Sequence, residues 1–310
     1  MKTVGVIGGS GFIGSHITKQ FLDNGFEVKV SATDLSKKEK YTHLEKLDHS
    51  DHLHISQLDV KNKAQLKSFI KDCEIVIHGG TSFQLDVTDP QKELIDPTIK
   101  GTENFLEVIS KSHKVKKIIF IASVAAWNTN FPLPAEGKSA SDIFSEVDTP
   151  FINKESHPYA QAKFMANQTV NEFIKSHPNL DIEITSVSPV AVFGKSMSER
   201  DDSTSTGLQF LIKNNLAPNR FVKMLFDTNA EFAVVDVEDV AKGIYNAATI
   251  SGLHGKNYLL SSESYPVSDL SLMLNGKQPK NQPKIIYQNS MAQGELGIPF
   301  RPVKSTLGDF

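Results

Sequence analysis

The stretch GGSGFIG, residues 8–14, constrains this chain more than any other. It closes a short apolar run, TVGVIG at 3–8, and opens a segment in which Ile13, Ile17, Phe21 and Leu22 recur at helical spacing. A strand that turns through glycines into a helix is the opening unit of a dinucleotide-binding sheet. Each glycine has its own task there. Gly8 permits the tight turn, Gly11 lets a pyrophosphate approach the backbone, and Gly14 lets the helix pack close to the strand. The helix N-terminus, with Phe12 and Ile13 at its start, presents free N–H groups and a partial positive charge to phosphates.

The pattern repeats along the first half. EVKVSA (27–32), LHISQLDV (53–60), EIVIHGG (74–80) and VKKIIFIAS (115–123) read as strands, and NKAQLKSFIKD (62–72) and DPTIKGTENFLEVISKSH (96–113) as helices. Such alternation predicts a parallel sheet with helices on both faces. The fold class expected is therefore α/β: a Rossmann-type doubly wound parallel sheet with a smaller mixed α+β C-terminal lobe that binds substrate. We place the dinucleotide-binding domain, with its catalytic helix, at 1–190 and the smaller lobe at 191–310. The segments FAVVD and VEDVAKGIYNAA (232–248) return to the main domain, and KNYLLS (256–261) and PKIIYQ (283–288) are further regular segments of the tail. Two polar stretches, 128–156 and 194–207, exceed ordinary connections and are expected near a functional site.

Bulk properties exclude several classes. The chain has 310 residues, enough for a sizeable core, and a net charge of −3, which attracts neither nucleic acid nor anionic lipid. Its one cysteine, Cys73, allows no disulfide framework. No run approaches the roughly 18–20 apolar residues of a membrane span, and the N-terminal apolar run is too short for a signal peptide. A cytoplasmic protein is expected, acting on a small-molecule carbonyl or alcohol as a monomer or homodimer, with neither nucleic acid nor membrane as partner. The histidines of HLEKLDHSDHLH (43–54) lack the regular spacing of a zinc site, so no metal is expected.

An acid at the end of the second strand would bond the adenosine ribose and select NAD. Here that strand ends in Ser31, Ala32 and Thr33; Asp34 comes one or two residues late, and Lys37, Lys38 and Lys40 follow. Thr33 with Lys38 suits a 2′-phosphate, so NADP is expected, with NAD the alternative. A solvated helix face is the ordinary reading of any one of these lysines. Asp59, followed by Val60, is placed either to accept from the adenine amino group or simply to end a strand.

HPYAQAKFMAN (157–167) sets Tyr159 four positions before Lys163, on one face of a helix. Such a pair is common by chance and needs company. Ser123 supplies it, because it ends the fifth strand, and ligands of a doubly wound sheet bind outside the carboxyl ends of the strands. Hydride transfer to a carbonyl leaves an alkoxide that needs a proton, which Tyr159 can give. A free phenol titrates near pH 10, and a neighbouring ammonium favours its ionised form. Ser123 can orient the substrate oxygen, and Lys163 can also hold the nicotinamide ribose.

With these residues in place, the chain resembles the extended short-chain dehydrogenases/reductases. The matching pieces are GGSGFIG, LDV (58–60), IVIHGGTS (75–82), IKGTENFL (99–106), IIFIASVAAW (118–127), YAQAK (159–163), SPVAVFG (188–194) and VVDVEDVAKG (234–243), with the terminal LGIPFRPVKSTLGDF. They follow the family's order over nearly the whole chain. The likeness is greatest to dihydroflavonol reductases, cinnamoyl-CoA reductases and microbial ketone and aldehyde reductases. It implies Ser123, Tyr159 and Lys163 as the catalytic triad, Gly79, Gly80 and Thr81 along the cofactor, and Pro189 and Val190 beside the nicotinamide. It implies a reversible NAD(P)H-dependent reductase of a ketone or aldehyde. Those reductases often carry an arginine where Thr33 stands, and its absence bears on cofactor choice.

The rival within the family is a sugar-nucleotide epimerase or dehydratase that retains its cofactor. A dehydratase would have acids after Ser123, where Val124, Ala125 and Ala126 stand, and an epimerase an asparagine in SVSPVAVFG. A non-catalytic dinucleotide sensor would have lost the Tyr159–Lys163 pair. The substrate pocket is expected to draw on 82–86, 124–131, 194–207 and the C-terminal segment. Trp127 either walls that pocket or packs in the core, and His78 is read as a packed neighbour of the cofactor rather than a base.

Overall fold

A computed structural model describes residues 1–79, 88–200 and 202–308. The first half builds β1 (Thr3–Ile7), α1 (Phe12–Asp23), β2 (Glu27–Ala32), β3 (Leu53–Gln57), α2 (Lys63–Ile70), β4 (Ile75–His78), α3 (Asp96–Ile109), β5 (Lys117–Ile121), α4 (Pro158–Ser176) and β6 (Glu183–Pro189). The chain then adds β7 (Ala191–Phe193), α5 (Thr204–Lys213), α6 (Arg220–Thr228), β8 (Glu231–Asp236) and α7 (Val237–Thr249). It finishes with β9 (Asn257–Leu260), β10 (Ser264–Pro266), α8 (Val267–Leu274), α9 (Ser290–Leu296) and α10 (Val303–Gly308).

Seven strands form one parallel sheet in the order β3-β2-β1-β4-β5-β6-β9. β4 and β5 bury every residue, which is why they read as unbroken apolar runs rather than alternating ones. One face is covered by α1 and α7, whose Ile17, Phe21, Ile244 and Ala247 pack with Val4 and Val28 of the sheet. The other face is covered by α2, α3 and α4 through Leu66, Phe69, Phe105, Ile109 and Val170. This is the doubly wound architecture expected. The connections run outward from β1 in one direction and from β4 in the other, so a crevice opens beyond the carboxyl ends of β1 and β4, where such sheets bind ligands.

A second sheet, in the order β10-β8-β7, pairs β7 with β8 parallel and β8 with β10 antiparallel. Its separate core gathers Phe193, Leu208, Val222, Leu225, Phe232 and Leu270. The chain crosses between the two sheets: β8 lies in the small one, α7 packs on the large one, and β9 pairs with β6 at its edge. PKIIYQ, expected to be regular, forms only isolated bridges, Phe144 with Tyr287 and Ser264 with Lys284. Its two ends dock on different neighbours, so no continuous ladder can form. Among the described residues, no helix is long and apolar enough to cross a membrane.

Candidate active site

The glycine turn is fixed by close backbone approach. Gly8 has φ of +80°, and its N–H donates to Ser31 Oγ at 2.9 Å, tying the turn to the end of β2. A Cβ on Gly14 would lie 2.0 Å from the Gly8 carbonyl oxygen, and one on Gly79 2.3 Å from that of Ile7. No side chain fits at either place, so the backbones of β1, α1 and β4 close on one another and leave the outer edge of the turn to a ligand. That edge opens into a cavity of about 960 Å³, at the upper end of the few hundred to about 1,000 Å³ typical of ligand sites.

Most of the sequence-derived candidates share this cavity. Gly8, Gly11, Phe12, Ile13 and Gly14 line it at the turn, Thr33 beyond β2, Asp59 and Val60 beyond β3, and Gly79 beyond β4. Ser123, Tyr159, Lys163, Pro189 and Val190 line its inner part. Lys38 does not. It is exposed on the tight turn Lys38–Lys40, and Lys40, two residues on, lines the cavity in its stead. Gly80 and Thr81, with the pocket segment 82–86, lie outside the described residues.

The serine, tyrosine and lysine are set by two elements. Ser123 leaves β5 as the cap of the short turn Val124–Ala126, its Oγ accepting from Ala125 N–H at 3.2 Å. α4 starts at Pro158, whose fixed φ suits a first helical position, and the Tyr159 N–H donates to His157 Nδ1 at 3.2 Å. This start sets the Tyr159 phenol beside the Ser123 hydroxyl. Lys163, one turn further, is only 5% exposed and donates from Nζ to the Ile121 carbonyl at 3.2 Å. Burial pushes the Tyr159 phenol up to about 12 and the Lys163 ammonium down to about 8. At neutral pH the tyrosine is thus a neutral proton donor and the lysine is mostly charged.

His78 borders the same cavity, its ring centroid 4.5 Å from that of Phe105 and 5.1 Å from that of Phe120. Burial, and after it the Lys163 charge, bring its pKa down to about 3, so it is a neutral packed ring. Trp127 packs against the large core and does not line the cavity.

Sequence reasoning did not single out a web of polar groups from 128–156 beside Tyr159. Asn153 Nδ2 donates to Asn130 Oδ1 at 3.0 Å, the Ser156 hydroxyl to the same oxygen at 3.0 Å, and Asn153 N–H to Thr129 Oγ1 at 2.8 Å. These residues line the cavity, yet the segment has no periodicity from which they could be picked out. Phe131, Leu133, Leu208, Phe221, Met224 and Phe232 give the same cavity an apolar wall. Among the described residues the cavity lining ends at Phe232, and the described part of the C-terminal segment expected in the pocket is elsewhere: Val303 and Leu307 of α10 are buried in the small core. Three of the four histidines of 43–54 have side-chain partners. His52 and His54 each hydrogen-bond Glu27, at 3.0 and 2.9 Å, and His43 bonds the Ser15 hydroxyl at 2.8 Å.

A glycine turn at the switch point of a doubly wound sheet, with serine, tyrosine and lysine converging beside it, defines a dinucleotide-dependent α/β enzyme. Residues 4–261 match the NAD dependent epimerase/dehydratase family, and the chain belongs to that family. Among curated proteins it is 28% identical to a cinnamoyl-CoA reductase of Medicago truncatula, over 99% of this chain and 93% of that protein. It is 27% identical to the anthocyanidin reductase of Arabidopsis thaliana, over 90% of this chain and 81% of that one. Among solved structures, the yeast methylglyoxal/isovaleraldehyde reductase complexed with NADPH shares the fold, with a TM-score of 0.80, 24% identity and coverage of 99% and 96% of the two chains.

Proposed function

We propose that this protein is an NADPH-preferring reductase of a ketone or aldehyde, reversible as an alcohol dehydrogenase. The observation that carries the reading is the convergence of Ser123, a neutral, buried Tyr159 and the Lys163 ammonium one turn below it, in the cavity that the glycine turn opens. The names of the relatives, a cinnamoyl-CoA reductase and an anthocyanidin reductase, agree with it. Residues 1–190 hold the cofactor and the proton donor, and the 191–310 lobe shapes the substrate side. The protein works in the cytoplasm on a small molecule, as a monomer or homodimer.

The residues present fit the dinucleotide: the glycine edge would hold the pyrophosphate, Asp59 and Val60 would hold the adenine, and Pro189 and Val190 the nicotinamide. Bound there, the nicotinamide supplies the hydride. Ser123 holds the substrate oxygen by its hydroxyl, and Tyr159 gives that oxygen its proton. Lys163 stabilises the phenolate left behind and reaches the nicotinamide ribose. The apolar wall of Phe131, Leu133, Phe221, Met224 and Phe232 excludes water and favours a substrate with an aryl or branched alkyl arm.

The test is consumption of NADPH and NADH, in parallel, against aryl aldehydes, keto esters and diketones. Net consumption that favours NADPH and disappears in Tyr159→Phe supports the reading. Tight cofactor binding without net turnover on any carbonyl would move the assignment to an epimerase that regenerates its cofactor.

A further inference from the structure

The residue after β2 that would ordinarily read the adenosine ribose is the uncharged Thr33, so recognition of a 2′-phosphate needs a cation from elsewhere. Among the described residues, four cations line the cavity: Lys40, Lys61, Lys163 and Arg200. Lys163 belongs to the tyrosine, and Lys61 follows Asp59 beyond β3. Arg200 comes from the loop between β7 and α5, far away in sequence. Its Nη1 donates to the Ser10 carbonyl in the glycine turn at 3.1 Å and to the Lys40 carbonyl at 3.3 Å. It therefore bridges the two segments that border the ribose position at the end of β2.

The guanidinium is held by a carboxylate. Arg200 Nε meets Asp202 Oδ1 at 2.7 Å and Nη2 meets Oδ2 at 2.8 Å, a two-pronged pair, and Lys40 Nζ approaches the same carboxylate at 3.6 Å. An arginine fork and an ammonium converging on one anion are also what a phosphate group requires. Asp34, another acid lining the cavity, is turned onto Ser36, accepting from its N–H at 2.9 Å and its hydroxyl at 2.6 Å.

We propose that Arg200, with Lys40, grips the 2′-phosphate of NADP, and that Asp202 is an internal anion which holds the two cations until that phosphate displaces it. The inference rests on the reading of the chain as an NADP-dependent reductase. It moves phosphate recognition from the end of β2 to a loop of the substrate lobe, so the cofactor ties that lobe to the sheet.

The test is equilibrium binding of NADPH, NADH, 2′,5′-ADP and 5′-ADP, followed by calorimetry, to the unaltered protein and to Arg200→Ala, Arg200→Lys and Asp202→Asn. Arg200→Ala should weaken NADPH and 2′,5′-ADP by about 10- to 100-fold, the worth of a charge-assisted pair, and leave NADH and 5′-ADP unchanged. Arg200→Lys, which keeps the charge and loses the fork, should fall between. Asp202→Asn should raise the preference for NADPH over NADH. Equal weakening of both cofactors by Arg200→Ala, or none, overturns the role of Arg200. A preference unchanged or lowered in Asp202→Asn overturns the role of Asp202. Thermal melts of each variant separate misfolding from lost recognition, and Arg200→Lys decides if the alanine variant does not fold. An unaltered protein that binds neither dinucleotide would instead overturn the functional reading beneath.

Discussion

Lys163 Nζ lies 5.8 Å from the centroid of the Tyr159 ring, one helical turn along α4, with the Ile121 carbonyl accepting its proton at 3.2 Å. The carbonyl comes from β5, two residues before Ser123, so the strand that positions the serine also fixes the lysine. Tyr159 is therefore held from both sides, by a hydroxyl in front and an ammonium below. Tyr159→Phe removes the proton donor and little else. Turnover should fall by about 10²–10⁴-fold, the usual worth of a positioned acid, with cofactor affinity retained in a binding titration. Retained turnover in a folded variant would show that another group gives the proton.

The Lys163 ammonium, lowered to about 8 by burial, gives a second prediction. As pH rises through about 8, the charge beneath Tyr159 is lost, and kcat/KM for reduction should fall with it, since that ratio reports groups of the free enzyme. Stability should move the other way. An unfolded lysine titrates near 10.4, so between about 8 and that value the unfolded chain holds the extra proton, and the contribution of Lys163 to folding improves with pH. A pH–rate profile paired with thermal melts over pH 7–10 distinguishes the two. Parallel loss of activity and melting temperature would mean that the alkaline limb is unfolding rather than Lys163.

Much of this site was legible in the sequence because its parts are backbone-determined. Gly8, at positive φ, and Gly14, pressed on the Gly8 carbonyl, are dictated by the backbone of this turn, and the short apolar runs of β4 and β5, bounded by turns and alternating with helices, suit strands of a sheet covered on both faces. Tyr159 and Lys163 are neighbours by helical geometry alone. Lys38 shows the limit: on a tight turn, a difference of two residues decides whether a side chain faces the cavity, and Lys40 was the one that did. The C-terminal segment was misplaced for a similar reason, because burial of Val303 and Leu307 looks the same in a sequence whether the neighbour is a pocket or a core. Arg200 falls in the polar stretch 194–207 expected near the site, but nothing in that stretch marked it as a cofactor contact. Its partners Ser10 and Lys40 are brought to it only by the closure of the small lobe on the sheet, and α5 and α6, which build that lobe, follow a polar stretch that reads as loop.

His78 gives a prediction in the acid range. An unfolded histidine titrates near 6.5, and in the folded chain burial among Phe105 and Phe120, with the Lys163 charge, brings His78 down to about 3. Between those values the unfolded chain takes up a proton that the folded one refuses. Stability is therefore full above about 6.5 and declines as pH falls towards 3. His78→Leu should flatten the fall of melting temperature across that window. An unchanged slope would assign acid sensitivity to other groups.

Gly14 tests the cradle itself. A methyl group there would lie 2.0 Å from the Gly8 carbonyl oxygen and 2.7 Å from Gly9 Cα, and both obstacles are backbone. Neither can rotate away, so Gly14→Ala must push α1 off β1 or open the turn, at a cost of about 1–3 kcal/mol for overpacking. Either movement displaces the helix N-terminus from the pyrophosphate position, which NADPH and NADH share. Both cofactors should weaken together, in contrast to the selective loss expected of Arg200→Ala, and the melting temperature should drop. Gly207, with nothing within 4 Å of the Cβ position, is the control: Gly207→Ala should leave both affinities where they were. If Gly14→Ala bound either cofactor normally, the close packing of α1 on the turn would not be what shapes the phosphate site.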